Sequence, residues 1–188
     1  DRFFIAWFFG EGPAGIYSAS YDLGQQTLTM MMMVISLAGY PLAIRALEES
    51  GVDAAHEQLL QNATLLLAVA LPTAVGIAAL ADNISAVMLG GSFREDAAYI
   101  LPWVVMAILL SGVRSYYFDL AFYLGKHTRG MIQIAVASAL LNVFLNLWWI
   151  PKYGLIGAAY ATFGAYFLAL ILSATLGRRI FMMPIPYL

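Results

Sequence analysis

The chain contains no cysteine, so disulfides, thiolate metal centres and cysteine nucleophiles are excluded, and the redox compartment leaves no mark on it. Histidine is nearly as scarce: His56 and His127 are too few for a histidine metal cluster. Charged residues make up 11%, against roughly 25% in an ordinary soluble domain. Nine basic and eleven acidic residues leave a net charge of −2, so no basic surface exists that would recruit nucleic acid. Gly10, Gly12 and Gly15 lack the strand–turn–helix setting of a nucleotide fingerprint, and nothing resembles a phosphate loop, a metal-ligand spacing or a nucleophile beside its base. An enzyme and a cofactor-dependent activity are therefore not the expected readings.

What is present is oil. Hydrophobic residues reach 62% and mean hydropathy is +0.81, too much for a soluble core of this size. A helix needs about 20 apolar residues to cross a hydrocarbon core of about 30 Å. Residues 3–9 are apolar but short, and read as the end of a span that begins upstream. With no initiator Met and no basic n-region, the chain reads as a piece of a longer protein and not as one led by a signal peptide. Further spans are expected at 14–44, 63–81, 96–125, 131–150 and 155–176. Pro72 and Gly76 are tolerated in the third stretch because neighbouring helices can satisfy the freed backbone groups. Ser92 and Glu95 carry a capping-box signal for the helix near Asp96. Residues 45–62, with Glu48, Glu49, Asp53, His56 and Glu57, form the one long polar stretch and are expected as a loop. If the spans alternate, Arg45, Lys126, Arg129, Arg178 and Arg179 collect at one end, against Arg94 and Lys152 at the other. That bias places the 45–62 loop in the cytoplasm. The fold class is all-α, a polytopic transmembrane bundle.

Charges inside membrane segments are costly, and they mark interiors or water-filled paths. The candidates are Arg2 with Asp1 at the first span, Asp22 on the long helix, and Arg114 and Asp119 on the 96–125 helix. Arg114 is deep, and reads either as a cation for an anionic substrate or as half of a structural ion pair with a neighbouring helix. Asp119 follows it by about 140° of helical rotation, so the two should not share a face. Asp22, about two turns into its helix, can sit near the headgroups. Tyr17 and Tyr21 fall at i and i+4, as do Asn142 and Asn146, and each pair is a polar stripe suited to interhelical hydrogen bonds. The rings of Tyr116, Tyr117, Phe118, Phe122 and Tyr123 read as packing or interfacial groups, or as the lining of a sugar-stacking cavity. Trp148 and Trp149 read as an interfacial anchor. Gly157, Ala161 and Ala165 permit close helix approach. Met30 to Met33 form a soft apolar run, and Asn83-Ile84-Ser85 fits a glycosylation sequon. The tail from Phe181, with Pro184 and Pro186, carries no clear signal.

The wording of several segments matters beyond their hydropathy. Asp1-Arg2 leads into an aromatic span, and Gly15-Ile16-Tyr17-Ser18-Ala19-Ser20-Tyr21 follows. Pro41-Leu42 and Arg45-Ala46-Leu47 precede the acidic stretch. Trp148-Trp149-Ile150-Pro151-Lys152-Tyr153-Gly154-Leu155-Ile156-Gly157-Ala158-Ala159-Tyr160-Ala161-Thr162 joins the last two spans. Together these resemble the second half of polysaccharide-biosynthesis, O-antigen-type flippases of the multidrug/oligosaccharidyl-lipid/polysaccharide exporter superfamily.

The resemblance implies one lobe of a two-lobe alternating-access transporter in the bacterial inner membrane. The N-terminal lobe of the same protein would be its partner, and lipid-linked oligosaccharide, an undecaprenyl-diphosphate-linked glycan, its cargo. Coupling to a Na+ or H+ gradient is left open. By position, Arg2 and Arg114 would meet the diphosphate or acidic sugars. A cation-coupled multidrug exporter of the same superfamily is the alternative, with Asp119 available to it; a membrane-embedded transferase would need an acid or His motif in place of scattered acids.

Overall fold

In a computed structural model, residues 1–88, 90–91 and 94–185 are described, and among them there is no strand. Helix α1 covers Arg2–Phe9, and Gly10, at φ 87°, turns the chain into α2, Glu11–Gly24. A π-helical turn at Gln25–Thr29 carries α2 into α3, Met30–Ser50. The run from Glu11 to Ser50 is one 40-residue helix, longer at both ends than the 14–44 expected. At about 1.5 Å per residue it is roughly 60 Å long, so it tilts or projects beyond any bilayer core.

Residues 45–62 are helical and not a loop. Helix α3 continues to Ser50, Gly51 at φ 88° makes a one-residue break, and α4 occupies Val52–Ala79. The acids do not break the helix because one face stays apolar: Ala55 and Leu59, four residues apart, are fully buried, while Glu48, Glu49, Asp53 and Glu57 are exposed. Asn62 donates to the Gly39 carbonyl at 2.9 Å and accepts from Gln58 at 3.0 Å, closing this hairpin where Gly39 leaves no room for a side chain.

After Leu80, the short α5, Ala81–Met88, takes in the Asn83-Ile84-Ser85 sequon and buries Ser85. Helix α6, Arg94–Val113, passes through a second π-helical turn at Arg114–Phe118 into α7, Leu120–Leu124. The capping box expected at Ser92 lies outside the described residues. Helices α8, Arg129–Tyr153, and α9, Leu155–Gly177, complete the bundle. The span expected to stop at Pro151 carries that proline inside its last turn and ends at Gly154, φ 65°. Pro41, Pro72 and Pro102 also sit inside helices, as membrane packing allows.

Five helical stretches are long and apolar enough to cross a membrane: Glu11–Ser50, Val52–Ala79, Arg94–Leu124, Arg129–Tyr153 and Leu155–Gly177. The protein is an all-α helical bundle of multi-pass membrane type. Helix α6 is its hub, packed on α2, α4, α5 and α9. Its Val105 and Ile108 close on Gly24, and Met32 closes on Gly112. On α9, Gly157 meets the Trp149 carbonyl of α8, and Ala161 and Ala165 are buried, as their four-residue spacing predicts. The outer surface is as oily as the core: Phe3, Trp7, Ile132, Leu140 and Phe144 are all at least 60% exposed. Water would not tolerate that surface on a monomer, and lipid does. Met32 is buried, whereas Met30, Met31 and Met33 face outward.

Alternation of the five spans puts Arg45, Lys126, Arg129, Arg178 and Arg179 at one end, and Arg94 and Lys152 at the other. The segment after α9 folds back under the basic end. Phe181 sets its ring edge-on to His56 at 5.3 Å, Met183 is buried, and Tyr117 donates to the Pro184 carbonyl. This tail, unreadable in the sequence, is part of the packed structure.

Candidate functional site: a polar face deep in the spans

Helices α1, α2, α8 and α9 bring their polar residues together on one side of the bundle. Asp22 stands roughly 16 Å along the helix from Glu11, and Arg2 roughly 10 Å from the Phe9 end, at about 1.5 Å per residue. Asp22 therefore lies well inside the continuous Glu11–Ser50 helix, while Arg2 opens α1 and reaches it from the side. Because α2 starts at Glu11, Asp22 lies three turns in and not the two turns expected. Arg2 Nη2 and Asp22 Oδ1 pair at 2.5 Å, with side chains 49% and 51% exposed. The guanidinium also lies over the Tyr21 ring, 5.7 Å from its centre.

Behind this pair, the Asp1 carboxylate gathers neutral donors. Thr162 donates to Asp1 Oδ2 at 2.7 Å, Tyr17 reaches the same oxygen at 3.4 Å, and Asn146 Nδ2 donates to Oδ1. Tyr17 and Thr162 are 2.8 Å apart, and Tyr21 and Tyr166 bond at 3.0 Å. Both α9 residues trail their α2 partners by 145 positions, because two i, i+4 stripes on parallel helices match rung for rung. The interhelical bonding expected of Tyr17 and Tyr21 is thus observed.

The amide of Asn146 also donates to the carbonyl and to Oδ1 of Asn142, both at 2.9 Å. Its own Oδ1 is buried with no hydrogen-bond partner among the described residues. Turning the amide over would set that oxygen against the Asp1 carboxylate, so the orphan is fixed by its neighbour. The Asp1 carboxylate and the Asn142 amide oxygen thus accept from the Asn146 amide, and the hydroxyls of Tyr17 and Thr162 complete a network of hard oxygen atoms. Among the described residues there is no group of three or more His, Asp or Glu side chains that would hold a metal ion. An open cavity of about 290 Å³ leads to the cluster, lined by Asp1, Arg2, Phe3, Tyr17 and Tyr21.

Arg114 and Asp119 do not join this face. They form a second polar site between the α6 π turn and α9. Asp119, its side chain 7% exposed, accepts from Ser173 at 2.6 Å and lies 3.5 Å from Arg114 Nε. The sequence reading that these two cannot share a face is wrong. In a π turn the bond runs from i+5 to i, and the Asp119 N–H reaches the Arg114 carbonyl at 2.8 Å, stacking the sixth residue over the first. Of the aromatic group nearby, Tyr117 and Phe122 are buried, and Tyr123 sits edge-on to Tyr40, so packing accounts for them. Trp148 is exposed on α8 beneath the Lys152 ammonium at 4.8 Å, as an interfacial anchor requires.

The sequence reading names none of Thr162, Tyr166 and Ser173 as a site residue. The available signal was the Thr162/Tyr166 spacing, a second i, i+4 stripe matching Tyr17 and Tyr21. Comparison with known proteins returns no match among protein-family models, curated proteins or solved structures.

Proposed function

We propose that this chain is one lobe of a transporter that flips a lipid-linked oligosaccharide, an undecaprenyl-diphosphate-linked glycan, across the bacterial inner membrane by alternating access. The observation that carries the proposal is the Arg2–Asp22 pair. A half-exposed ion pair whose acid, Asp22, lies roughly 16 Å from the Glu11 end of a 40-residue apolar helix, by helix rise of about 1.5 Å per residue, is not a lipid-facing feature. It asks for water or a polar partner beside it, and an aqueous cavity between two lobes supplies one. Arg2 would meet the diphosphate, and the tyrosines beside it would meet sugar hydroxyls. The basic end, by the excess of Arg and Lys in its turns, faces the cytoplasm. The wording around Ile150-Pro151-Lys152-Tyr153-Gly154, similar to that of such flippases, supports the same reading.

The carboxylates Asp1 and Asp22 on this face and the buried Asp119 leave a second reading, a cation-coupled multidrug exporter of the same superfamily. The two separate in vesicles. The full-length protein, reconstituted with a fluorescent lipid-linked oligosaccharide under an imposed Na+ or H+ gradient, is expected to move the lipid to the opposite leaflet. Arg2→Gln or Asp22→Asn slows that movement by roughly tenfold or more, as loss of a charge-assisted contact of about 1.5–3 kcal/mol requires. Transport of an organic cation with no movement of the lipid-linked sugar would select the second reading.

A further inference from the structure

At the end of the bundle opposite the basic turns lies a cavity of about 470 Å³, within the roughly 300–1,000 Å³ of small-molecule sites. It sits between the Gly10 turn, the first turns of α6 and the Tyr153–Gly154 break that joins α8 to α9. The rings of Phe9, Tyr99 and Tyr153 line it, with Asp96 as the one carboxylate. These rings are 45%, 65% and 56% exposed, and among the described residues none of the three stacks on another helix's ring.

The geometry points to a binding subsite for a neutral saccharide. A pyranose has an apolar C–H face that an aromatic ring covers, and a rim of hydroxyls that both donate and accept. Here Asp96 accepts and the two tyrosine hydroxyls do either. Three helices, α2, α6 and α9, begin at this cavity, through Pro13, Asp96 and Leu155-Ile156. The backbone N–H groups of Leu155 and Ile156, in the first turn of α9, have no acceptor within their helix and add donors.

The same arrangement sorts ligands by charge. Three helix N-termini present partial positive charge, which disfavours an organic cation in what would otherwise be an aromatic cage. Within the lining, the Asp96 carboxylate disfavours phosphate and uronate, Arg94 and Lys152 lying outside it. A polyhydroxylated neutral ligand satisfies both. Gly154 keeps this corner open because at φ 65° it turns the chain without a side chain.

The subsite rests on the transport reading for its purpose, as a place where sugar residues wait on the far side, but its binding is measurable apart from transport. The full-length protein in nanodiscs would be titrated, by saturation-transfer NMR, with neutral gluco-, galacto- and manno-configured oligosaccharides of two to five residues, with a galacturonate trimer and with tetramethylammonium. The expected result is saturable binding of at least one neutral oligosaccharide. Tyr153→Ala and Asp96→Asn should weaken it by roughly tenfold or more each, about 1.4 kcal/mol. Tyr153→Phe should retain most of it, and helix content by circular dichroism should be unchanged in all three. Preference for tetramethylammonium, equal binding of the galacturonate trimer, absence of any saturable sugar signal, or indifference to Tyr153→Ala and Asp96→Asn would each overturn the proposal. Sugar binding with no lipid-linked sugar transport would keep the subsite and remove the transport reading; transport without binding would do the reverse.

Discussion

Arg114 and Asp119 are joined twice across one π-helical turn, by a 2.8 Å hydrogen bond from the Asp119 N–H to the Arg114 carbonyl and by a 3.5 Å ion pair between their side chains. The wide turn and the charge pair support each other. Without the π turn, the carboxylate would rotate away from the guanidinium; without the pair, two charges in an apolar bundle would lose their nearest compensation.

Breaking the pair from one side should therefore hurt more than removing it. Asp119→Leu leaves Arg114 uncompensated and is expected to destabilise the bundle by about 3 kcal/mol, while Arg114→Met with Asp119→Leu recovers most of that loss. Thermal unfolding in detergent measures both, and a double variant no better than the worse single variant would contradict the pairing.

At the α8–α9 contact, Gly157 has the Trp149 carbonyl where a Cβ would go, whereas Gly76 on α4 has nothing within 4 Å. Gly157→Val is expected to lower stability by about 1–3 kcal/mol by forcing the helices apart. Gly76→Ala should be neutral or stabilising by about 0.5–1 kcal/mol. Equal melting shifts for the two would remove the close-approach account.

The Tyr21–Tyr166 hydroxyl pair is a single interhelical bond at 3.0 Å. A cycle of Tyr21→Phe, Tyr166→Phe and the double variant should give a coupling near 0.6 kcal/mol, the usual size for such bonds between membrane helices. A coupling of zero would mean that the two hydroxyls are held by water and not by each other.

The folded-back tail depends on Tyr117. Tyr117→Phe removes its bond to the Pro184 carbonyl, and trypsin should then cut after the exposed Arg178 and Arg179 several times faster. An unchanged cutting rate would show that Phe181 on His56 and the buried Met183 hold the segment alone.

The sequence disclosed the spans well because length and hydropathy are the quantities lipid selects for. It disclosed less where local geometry departs from the regular helix. The π turn at Arg114–Phe118 inverts the angular argument for Asp119, and no residue in Arg-Ser-Tyr-Tyr-Phe announces it. Residues 45–62 read as a loop because their charge hides the Ala55–Leu59 stripe. The Tyr17/Tyr21 and Asn142/Asn146 stripes were legible by spacing alone. Their convergence on Asp1 was not, since parallel packing of α2 and α9 is a tertiary fact that a span list does not contain.

The central claim is that the Arg2–Asp22 face borders water within the spans, and because these 188 residues hold no cysteine it is directly measurable once any cysteine elsewhere in the full-length protein is replaced by serine. Single substitutions Ala19→Cys and Gln26→Cys, at positions that share an open cavity of about 540 Å³ with Asp22, would be compared with Leu140→Cys on the outward face of α8. In vesicles holding the full-length protein, a charged, membrane-impermeant maleimide should label the first two and leave Leu140→Cys unmodified. Labelling of all three alike, or of none, would contradict the account.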